Sequence, residues 1–187
     1  MNEGHLHFCG SDVWREMVEE FLPDALQGVD LGPDVLEVGP GPGFTTDLLR
    51  QRANALTAVE IDPDLCAALA ERLVGTNVTV LLGDATALDF DDDRFSGAAS
   101  FNMLHHVPSL DAQQRVLAEL ARVVRSGGRV VLVDSGFSPG LHDFHAADTY
   151  NPIEAEILPD RLVAAGLIDV EVRRFELNRW VCTARVP

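Results

Sequence analysis

The sequence predicts an α/β fold in which helices cover a mostly parallel sheet. Short runs of aliphatic and β-branched residues alternate with amphipathic segments between residues 13 and 134, as in successive strand–helix units. One strand, a glycine-rich turn and a helix follow one another directly at residues 35–49. Two final strands, at residues 168–175 and 179–186, alternate polar and apolar side chains. This alternation is typical of an antiparallel pair at a sheet edge.

The length of the chain favours a single domain, residues 1–187. The chain is long enough for one well-buried domain and too short for two large ones, and 47% hydrophobic with only 6% aromatic residues predicts a core of Val, Leu and Ala. Within this domain we distinguish an N-terminal segment with one helix, residues 1–33, and a stretch at residues 135–158 that is rich in Gly, Pro, His and Asp. Because this stretch is too long for an ordinary connection, we expect a lid or a partly helical insert.

Local patterns predict the elements in order. Residues 1–10 have no clear periodicity and are expected to be irregular. The first helix, at residues 13–26, has one apolar face, and either Ser11 or Asp12 can cap it. Pro63 is typical of a first helical position. The central strands are predicted at residues 35–38, 56–61, 78–82, 97–102 and 129–134, and the helices between them end near residue 52, begin at residue 63 and span residues 111–124.

The composition is acidic and contains no lysine. The 30 Asp and Glu residues outnumber the basic residues, all of them arginine, and the formal net charge is −16. A surface of this sign repels nucleic acid and anionic membranes and favours neutral or cationic substrates. Solubility alone also accounts for such a charge.

The sequence also bears on where the protein is found. No segment has the length of a membrane span, and residues 1–9 lack the basic and apolar parts of a signal peptide. Cys9, Cys66 and Cys182 lie far apart and have neither metal nor redox spacing, so we expect reduced thiols in the core. We therefore predict a cytoplasmic protein.

The glycine turn after the first strand indicates the kind of ligand. Gly39, Gly41 and Gly43 are spaced every second residue, whereas a dinucleotide fingerprint needs a small residue at the next position, which is Phe44. Two prolines in the turn also remove N–H groups that a pyrophosphate would use. Glu37 adds a carboxylate, which repels phosphate but suits an ammonium or sulfonium group. The pattern favours a positively charged nucleoside; a tight turn without a ligand is the alternative.

An acid ends the second predicted strand. Glu60 follows Gly39 by 21 residues, the spacing at which a strand–helix–strand unit brings a carboxylate to a ribose. Two carboxylate oxygens can accept hydrogen bonds from both ribose hydroxyls. An exposed acid at a strand end is the alternative interpretation.

Together these motifs resemble the class I S-adenosylmethionine-dependent methyltransferases, in particular the small-molecule branch called type 11. The glycine turn, Glu60, Asp84, the glycine pair at residues 127–128 and the closing hairpin occur in family order over about residues 34–186. The resemblance implies a Rossmann-like, seven-stranded, mostly parallel sheet with a reversed C-terminal strand and helices on both faces. It also implies S-adenosylmethionine as cofactor. The implied cofactor-binding residues are Glu37, Gly39, Gly41, Gly43, Glu60, Ile61, Asp84, Ala85 and Asn102, with Asp84 and Ala85 at the adenine.

The segments around residues 35–43 and 60–62 also resemble ribosomal RNA adenine dimethylases. Those enzymes carry an Asn or Asp, Pro and aromatic motif after the fourth strand to hold a planar amine. This chain instead has Asn102, Met103, Leu104 and His105, without a proline or an aromatic residue. From this difference and the acidic charge we predict a small-molecule acceptor, no nucleic acid and no membrane partner, and leave the oligomeric state open.

Transfer of a methyl group to a phenol, alcohol or amine requires removal of a proton, and a histidine suits this near neutral pH. Four histidines are candidates: His105 and His106 after the fourth strand, and His142 and His145 in the presumed lid. We predict His105 as the base, with packing in the wall as the alternative, and His106 as the more core-facing of the adjacent pair. No metal site is predicted, although the lid histidines and nearby acids have helical spacing.

The predicted function is therefore S-adenosylmethionine-dependent methyl transfer to a small molecule, on O, N or C. An S-adenosylmethionine-binding module that lacks turnover or needs a partner is the alternative. A nicotinamide oxidoreductase is disfavoured by Phe44 and Glu37.

Overall fold

A computed structural model describes residues 2–187 and contains one seven-stranded sheet. The strand order is β3-β2-β1-β4-β5-β7-β6; all neighbours pair in parallel except β7, which is antiparallel to both β5 and β6. The predicted Rossmann-like sheet with a reversed C-terminal strand is confirmed. The strands are β1 (Asp34–Val38), β2 (Ala55–Glu60), β3 (Val78–Leu82), β4 (Phe95–Phe101), β5 (Val124–Ser135), β6 (Ile168–Arg174) and β7 (Arg179–Arg185).

Seven α-helices occur in the described residues. They are α1 (Glu3–Cys9), α2 (Asp12–Ala25), α3 (Phe44–Leu49), α4 (Pro63–Arg72), α5 (Leu110–Val123), α6 (Pro139–Phe144) and α7 (Leu158–Ala164). Ser11 is the residue that caps α2, because its side chain accepts a hydrogen bond from the amide of Trp14. No helix within residues 2–187 is long and apolar enough to cross a membrane.

Helices pack on both faces of the sheet, and each face has its own core. On one face, α5 and α7 pack on the inner strands around the fully buried Trp180. On the other face, α2 packs through Val18 and Leu22 against residues such as Val131 and Val181. The inner strands β1, β2, β4 and β7 are buried almost throughout, whereas the edge strands β3 and β6 alternate in exposure. This burial explains the continuous apolar runs of the inner strands.

The parallel register brings several strand ends to the same edge of the sheet. Val38 pairs with Val59 and with Ser100, and Glu60 pairs with Leu82. The segments that follow β1, β2, β3 and β4 therefore lie side by side. In open α/β sheets this carboxyl edge is where ligands bind.

One predicted element was wrong. Residues 1–10 were expected to be irregular, but α1 occupies most of them. The side chain of Asn2 caps this helix, and Phe8 packs edge-on against Phe144 of the lid stretch. A helix of seven residues is too short to be stable alone, so its formation depends on contacts that a local pattern does not reveal.

The stretch at residues 135–158 is partly helical, which is one of the two forms expected from the sequence. It contains α6 and is otherwise without regular structure up to α7. The indole N–H of Trp180 donates to the carbonyl of Ile153 at 2.8 Å, which ties the end of this stretch to β7. The amide of Asn151 donates to the carbonyl of His105, which ties it also to the segment after β4.

Candidate active site

The glycine turn between β1 and α3 needs its glycines for conformational reasons. Gly39, Gly41 and Gly43 all have positive φ angles, of 68°, 55° and 89°. Such angles strain any residue with a Cβ atom. At Gly39 a Cβ would also overlap the side chain of Met103, so the turn lies directly against the segment after β4.

Glu37 lies beneath this turn. Its side chain is on the same face of β1 as α3, and its two carboxylate oxygens accept hydrogen bonds from the hydroxyls of Thr45 and Thr46 at 2.5 and 2.6 Å. Burial raises the pKa of Glu37 to about 7, an effect that these two hydroxyl donors oppose. The structure therefore places Glu37 as a buried support for the first turn of α3, with 1% of its surface exposed.

Glu60 lies at the end of β2 and faces the turn. Its Oε2 accepts the amide N–H of Gly41 at 2.9 Å, and its Oε1 accepts the amide N–H of Asp62 at 3.0 Å. Each carboxylate oxygen can accept a second hydrogen bond, so Glu60 can orient the turn and still bind a hydroxyl pair. The side chain is 5% exposed and lines the cavity described next.

A cavity of about 880 Å³ lies over the carboxyl edge of the sheet. Its volume is at the upper end of the range for ligand pockets, about 300–1,000 Å³. Residues of α1 and of the stretch at residues 135–158 also line it. The predicted site residues that line it are Gly39, Gly41, Glu60, Ile61, Asp84, Ala85, Asn102 and His105. Glu37 and Gly43 are the two predicted residues outside its wall.

The remaining predicted cofactor residues lie around the cavity rim. Asp84 is exposed after β3, and its Oδ1 accepts the amide N–H of Thr86. Ala85 is partly buried beside it, and Ile61 is 67% exposed. Asn102 has a φ angle of 51°, which asparagine tolerates better than most residues, and its amide donates to Val133. These groups could bind the polar edge of a nucleoside base.

His105 lies in the cavity wall, and a hydrogen bond with Asp134 orients its ring. Its Nδ1 lies 2.6 Å from Oδ1 of Asp134 at the end of β5, and both residues are buried. Because a carboxylate only accepts, Nδ1 donates its proton to Asp134, and Nε2 is the ring nitrogen that Asp134 does not engage. His105 is buried, whereas His106 is only partly buried. The expectation that His106 is the more core-facing of the two was therefore wrong. The short 3₁₀ turn at Leu104–His106 rotates His105 toward β5.

Sequence reasoning missed that His5 belongs to this wall. The imidazole of His5 is 4.9 Å from that of His106 and 4.5 Å from that of His145, measured between ring centroids. His142, in contrast, is exposed at the outer side of α6. A helical assignment of residues 3–9 would have placed His5 on the same face as Phe8, the residue that packs on the lid.

Residues 36–132, just over half of the chain, match the family described as the methyltransferase domain. The chain belongs to this family. The resemblance to class I S-adenosylmethionine-dependent methyltransferases of type 11 is thereby confirmed. A crystal structure of such a methyltransferase from Aquifex aeolicus superposes with a TM-score of 0.78 and covers 100% of both chains. At 17% identity this likeness shows the fold alone.

Curated relatives of this methyltransferase-domain chain differ in the acceptor that their names state. A ribosomal RNA small subunit methyltransferase A from Rubrobacter xylanophilus is 36% identical over 153 residues, which cover 71% of the chain and 54% of the relative. A phosphatidylethanolamine N-methyltransferase from Cereibacter sphaeroides is 35% identical over 107 residues, covering 55% of the chain and 51% of the relative. The chain thus spans about half the length of these relatives.

One prediction about partners was wrong. The sequence predicts no nucleic-acid partner, yet four further relatives besides that of Rubrobacter xylanophilus are named as ribosomal RNA methyltransferases. The net charge is a property of the whole chain and disfavours non-specific binding to phosphates. The net charge does not decide which acceptor the cavity wall can bind. It also does not describe the parts of the relatives that have no counterpart in this chain.

Proposed function

We propose that this methyltransferase-domain chain transfers a methyl group from S-adenosylmethionine to an acceptor held in the 880 Å³ cavity. One observation carries the proposal: the glycine turn, the Glu60 carboxylate and the paired His105 line the same cavity. The first two suit binding of a nucleoside, and the third suits removal of a proton. An S-adenosylmethionine-binding module without turnover would not need an oriented histidine there.

The cofactor residues would have distinct roles. Glu60 would accept the ribose hydroxyls, Asp84 would accept the exocyclic amine of adenine, and the backbone of Ala85 would contact the ring. The turn at Gly39 and Gly41 allows close approach of the cofactor's amino acid part. Bound S-adenosylmethionine supplies a methyl carbon made electrophilic by its sulfonium. Glu37 would stabilise the first turn of α3 through Thr45 and Thr46. We propose this role for it in place of the direct cofactor contact expected from the sequence.

His105 would act as general base. Nε2 would accept the proton of an acceptor N–H or O–H group, while Asp134 holds Nδ1–H and stabilises the imidazolium that results. The proton then leaves to water when the product departs. Much of the remaining rate would come from holding acceptor and cofactor in line within the cavity. The lid stretch, with α1, would exclude water during transfer.

Two acceptor classes have specific support. A small molecule methylated on N, O or C agrees with the volume of the cavity and with the relative named for an amine-bearing lipid. Ribosomal RNA agrees with the five relatives named for it. A cytoplasmic location, based on the reduced cysteines, is compatible with the small-molecule and RNA acceptors and can be checked by cell fractionation.

The test is formation of S-adenosylhomocysteine by purified protein. Incubation with panels of small amines, phenols and alcohols should produce S-adenosylhomocysteine with at least one acceptor, and His105→Ala should slow its formation by at least about 100-fold. A parallel incubation with ribosomal RNA decides between the two acceptor classes. Tight S-adenosylhomocysteine binding without turnover in either panel would contradict the proposal and favour a binding module.

A further inference from the structure

Three histidines from separate parts of the chain converge above the cavity. His5 belongs to α1, His106 follows β4, and His145 caps the C-terminal end of α6. One ring nitrogen from each of the three lies within 4.8 Å of the other two. Tetrahedral Zn²⁺ with bonds of about 2.0–2.1 Å needs its ligand nitrogens roughly 3.4 Å apart, a spacing that small rotations of these rings would provide.

Hydrogen bonds engage one nitrogen in two of the rings and leave the other for a ligand. Nδ1 of His145 lies 2.6 Å from the carbonyl oxygen of Leu141, and Nδ1 of His5 lies 3.2 Å from Oδ2 of Asp148. Since a carbonyl and a carboxylate only accept, both Nδ1 atoms carry protons. Each Nε2 therefore presents a lone pair. A metal-binding histidine has the same arrangement, with its other nitrogen donating to a carbonyl or a carboxylate.

The Nε2 atom of His145 makes the strongest case for a ligand. The residue is 3% exposed, and no described residue lies within hydrogen-bond distance of this atom. A buried polar atom without a partner is costly and uncommon in folded proteins. Ring packing alone would explain the proximity of the imidazoles, but it would leave the buried Nε2 atom of His145 without a partner.

The charges around the group suit a cation. Burial lowers the pKa of His5 to about 4 and that of His106 to about 3, and it also lowers the pKa of His145. Lowered pKa values favour the neutral imidazole, which is the form that binds a metal. The carboxylates of Asp148 and Asp134 lie close enough to interact electrostatically with rings of the group, and their negative charge would offset that of a metal.

We propose that His5, His106 and His145 form a binding site for one divalent transition-metal ion of the Zn²⁺ class. Neutral imidazoles are preferred ligands of Zn²⁺ and of Co²⁺, Ni²⁺ and Cu²⁺, and they are poor ligands of Mg²⁺ and Ca²⁺. The proposal departs from the sequence-based expectation of no metal site. That expectation considered the lid histidines and acids, whereas the group instead combines one lid histidine with His5 and His106.

The metal would connect three segments over the cavity. These segments already contact one another. Phe8 of α1 packs against Phe144, and the amide of Asn151 donates a hydrogen bond to the carbonyl of His105 after β4. A bound ion would hold α1, the 3₁₀ turn and α6 in this closed arrangement. The site does not depend on methyl transfer, so its tests use binding and protection and not turnover.

The first experiment uses tag-free wild-type protein treated with EDTA and then dialysed. Titration with Zn²⁺ should show one ion per chain and a raised melting temperature, because only the native state assembles the site. Co²⁺ should give the visible absorption of a low-coordinate nitrogen site. Segments 3–9 and 139–148 should exchange amide hydrogens more slowly with Zn²⁺ bound. Wild-type protein that takes up no Zn²⁺ after this treatment overturns the proposal.

Variants with equal numbers of histidines locate the site. The double variant His5→Ala/His145→Ala should lose the Zn²⁺ binding and the thermal shift, whereas His7→Ala/His142→Ala, at two exposed positions, should keep both. Asp148→Asn should weaken Zn²⁺ binding by about 10- to 100-fold, the usual effect of removing a carboxylate behind a ligating histidine. Asp143→Asn is its exposed control. Equal Zn²⁺ affinity in both double variants would assign the uptake to surface histidines and overturn the proposal.

Discussion

His105 and Asp134 form a buried pair in which Nδ1 of the imidazole lies 2.6 Å from Oδ1 of the carboxylate. The other carboxylate oxygen accepts the backbone N–H of His105 at 3.2 Å, so one aspartate fixes both the ring and its main chain. The pair comes from the ends of β4 and β5, which are neighbours in the sheet. Fixing the ring in this way leaves Nε2 as the nitrogen that is not bonded to Asp134.

The first prediction concerns His105 as the base. His105→Ala should lower kcat by about 10²- to 10⁴-fold, the usual contribution of general base catalysis, with the affinity for S-adenosylhomocysteine nearly unchanged. Asp134→Asn should lower kcat as well, because an amide can donate to Nδ1 and so place the imidazole proton on Nε2. Both are measured as S-adenosylhomocysteine formation with the acceptor found by screening.

His142→Ala is the matched control, since that histidine is exposed on α6. It should retain kcat within about twofold, as expected for a surface side chain. A His105→Ala protein with wild-type kcat would assign His105 to packing in the cavity wall, the alternative considered from the sequence.

The second prediction concerns Glu60 and the cofactor. Glu60→Ala should weaken S-adenosylhomocysteine binding by about 1.5–3 kcal/mol, or ~10- to 150-fold in Kd, because a charge-assisted hydrogen-bond acceptor is lost. Isothermal titration calorimetry measures the change. Glu71→Ala, on the exposed side of α4, should leave the Kd as it is. Equal affinities for the two variants would rule out the assignment of Glu60 to the ribose.

The third prediction concerns pH and Glu37. Its pKa is raised from 4.5 to about 7 in the folded protein, mainly by burial. The folded protein binds this proton more tightly than the unfolded chain does. This contribution to the free energy of unfolding is therefore complete below about pH 4.5 and is lost as the pH rises through about 7. The loss should be on the order of 3 kcal/mol, since one pKa unit corresponds to about 1.36 kcal/mol.

Glu37→Gln removes this titration while keeping the shape of the side chain. The free energy of unfolding in urea should be compared between wild type and variant at several pH values from 4.5 to 8. The difference, wild type minus variant, should decrease across this range. A difference that is constant with pH would mean that Glu37 has an ordinary pKa in the folded state.

The fourth prediction compares two glycines of the same turn. Both have positive φ angles. A Cβ atom at Gly43 would overlap Leu69 and lie 2.6 Å from Nη2 of Arg72, whereas a Cβ atom at Gly41 would have no described neighbouring atom within 4 Å. Gly43→Ala should therefore lower the free energy of unfolding by about 1–3 kcal/mol more than Gly41→Ala, because overpacking adds to backbone strain. Urea unfolding of both variants measures this. Equal losses would show that α4 yields to the added methyl group.

Much of the fold was predictable because its signals are local. Strand–helix alternation, the Ser11 cap and the alternating final strands all depend on residues within a few positions of each other. Glu60 was predictable for the same reason, since a strand–helix–strand unit fixes its spacing from Gly39. All of these features lie in segments whose structure is decided by their own pattern.

The features that could not be predicted depend on contacts between distant residues. The α1 helix requires the lid, and the group of His5, His106 and His145 requires α1. Glu37 has the right position in sequence for a cofactor contact, but Thr45 and Thr46 draw its carboxylate under the turn. The exclusion of nucleic acid failed because a sum over all charges does not describe one surface.

The reversed strand β7 has a consequence for synthesis of the chain. It lies between β5 and β6, so the interior strand β5 receives its second neighbour only after the lid, α7 and β6 have been made. A nascent chain therefore exposes an apolar strand edge, where intermolecular pairing can start. Chains ending at residue 178 should accordingly form inclusion bodies, whereas chains ending at residue 187 should not, and the soluble fraction after expression measures the difference.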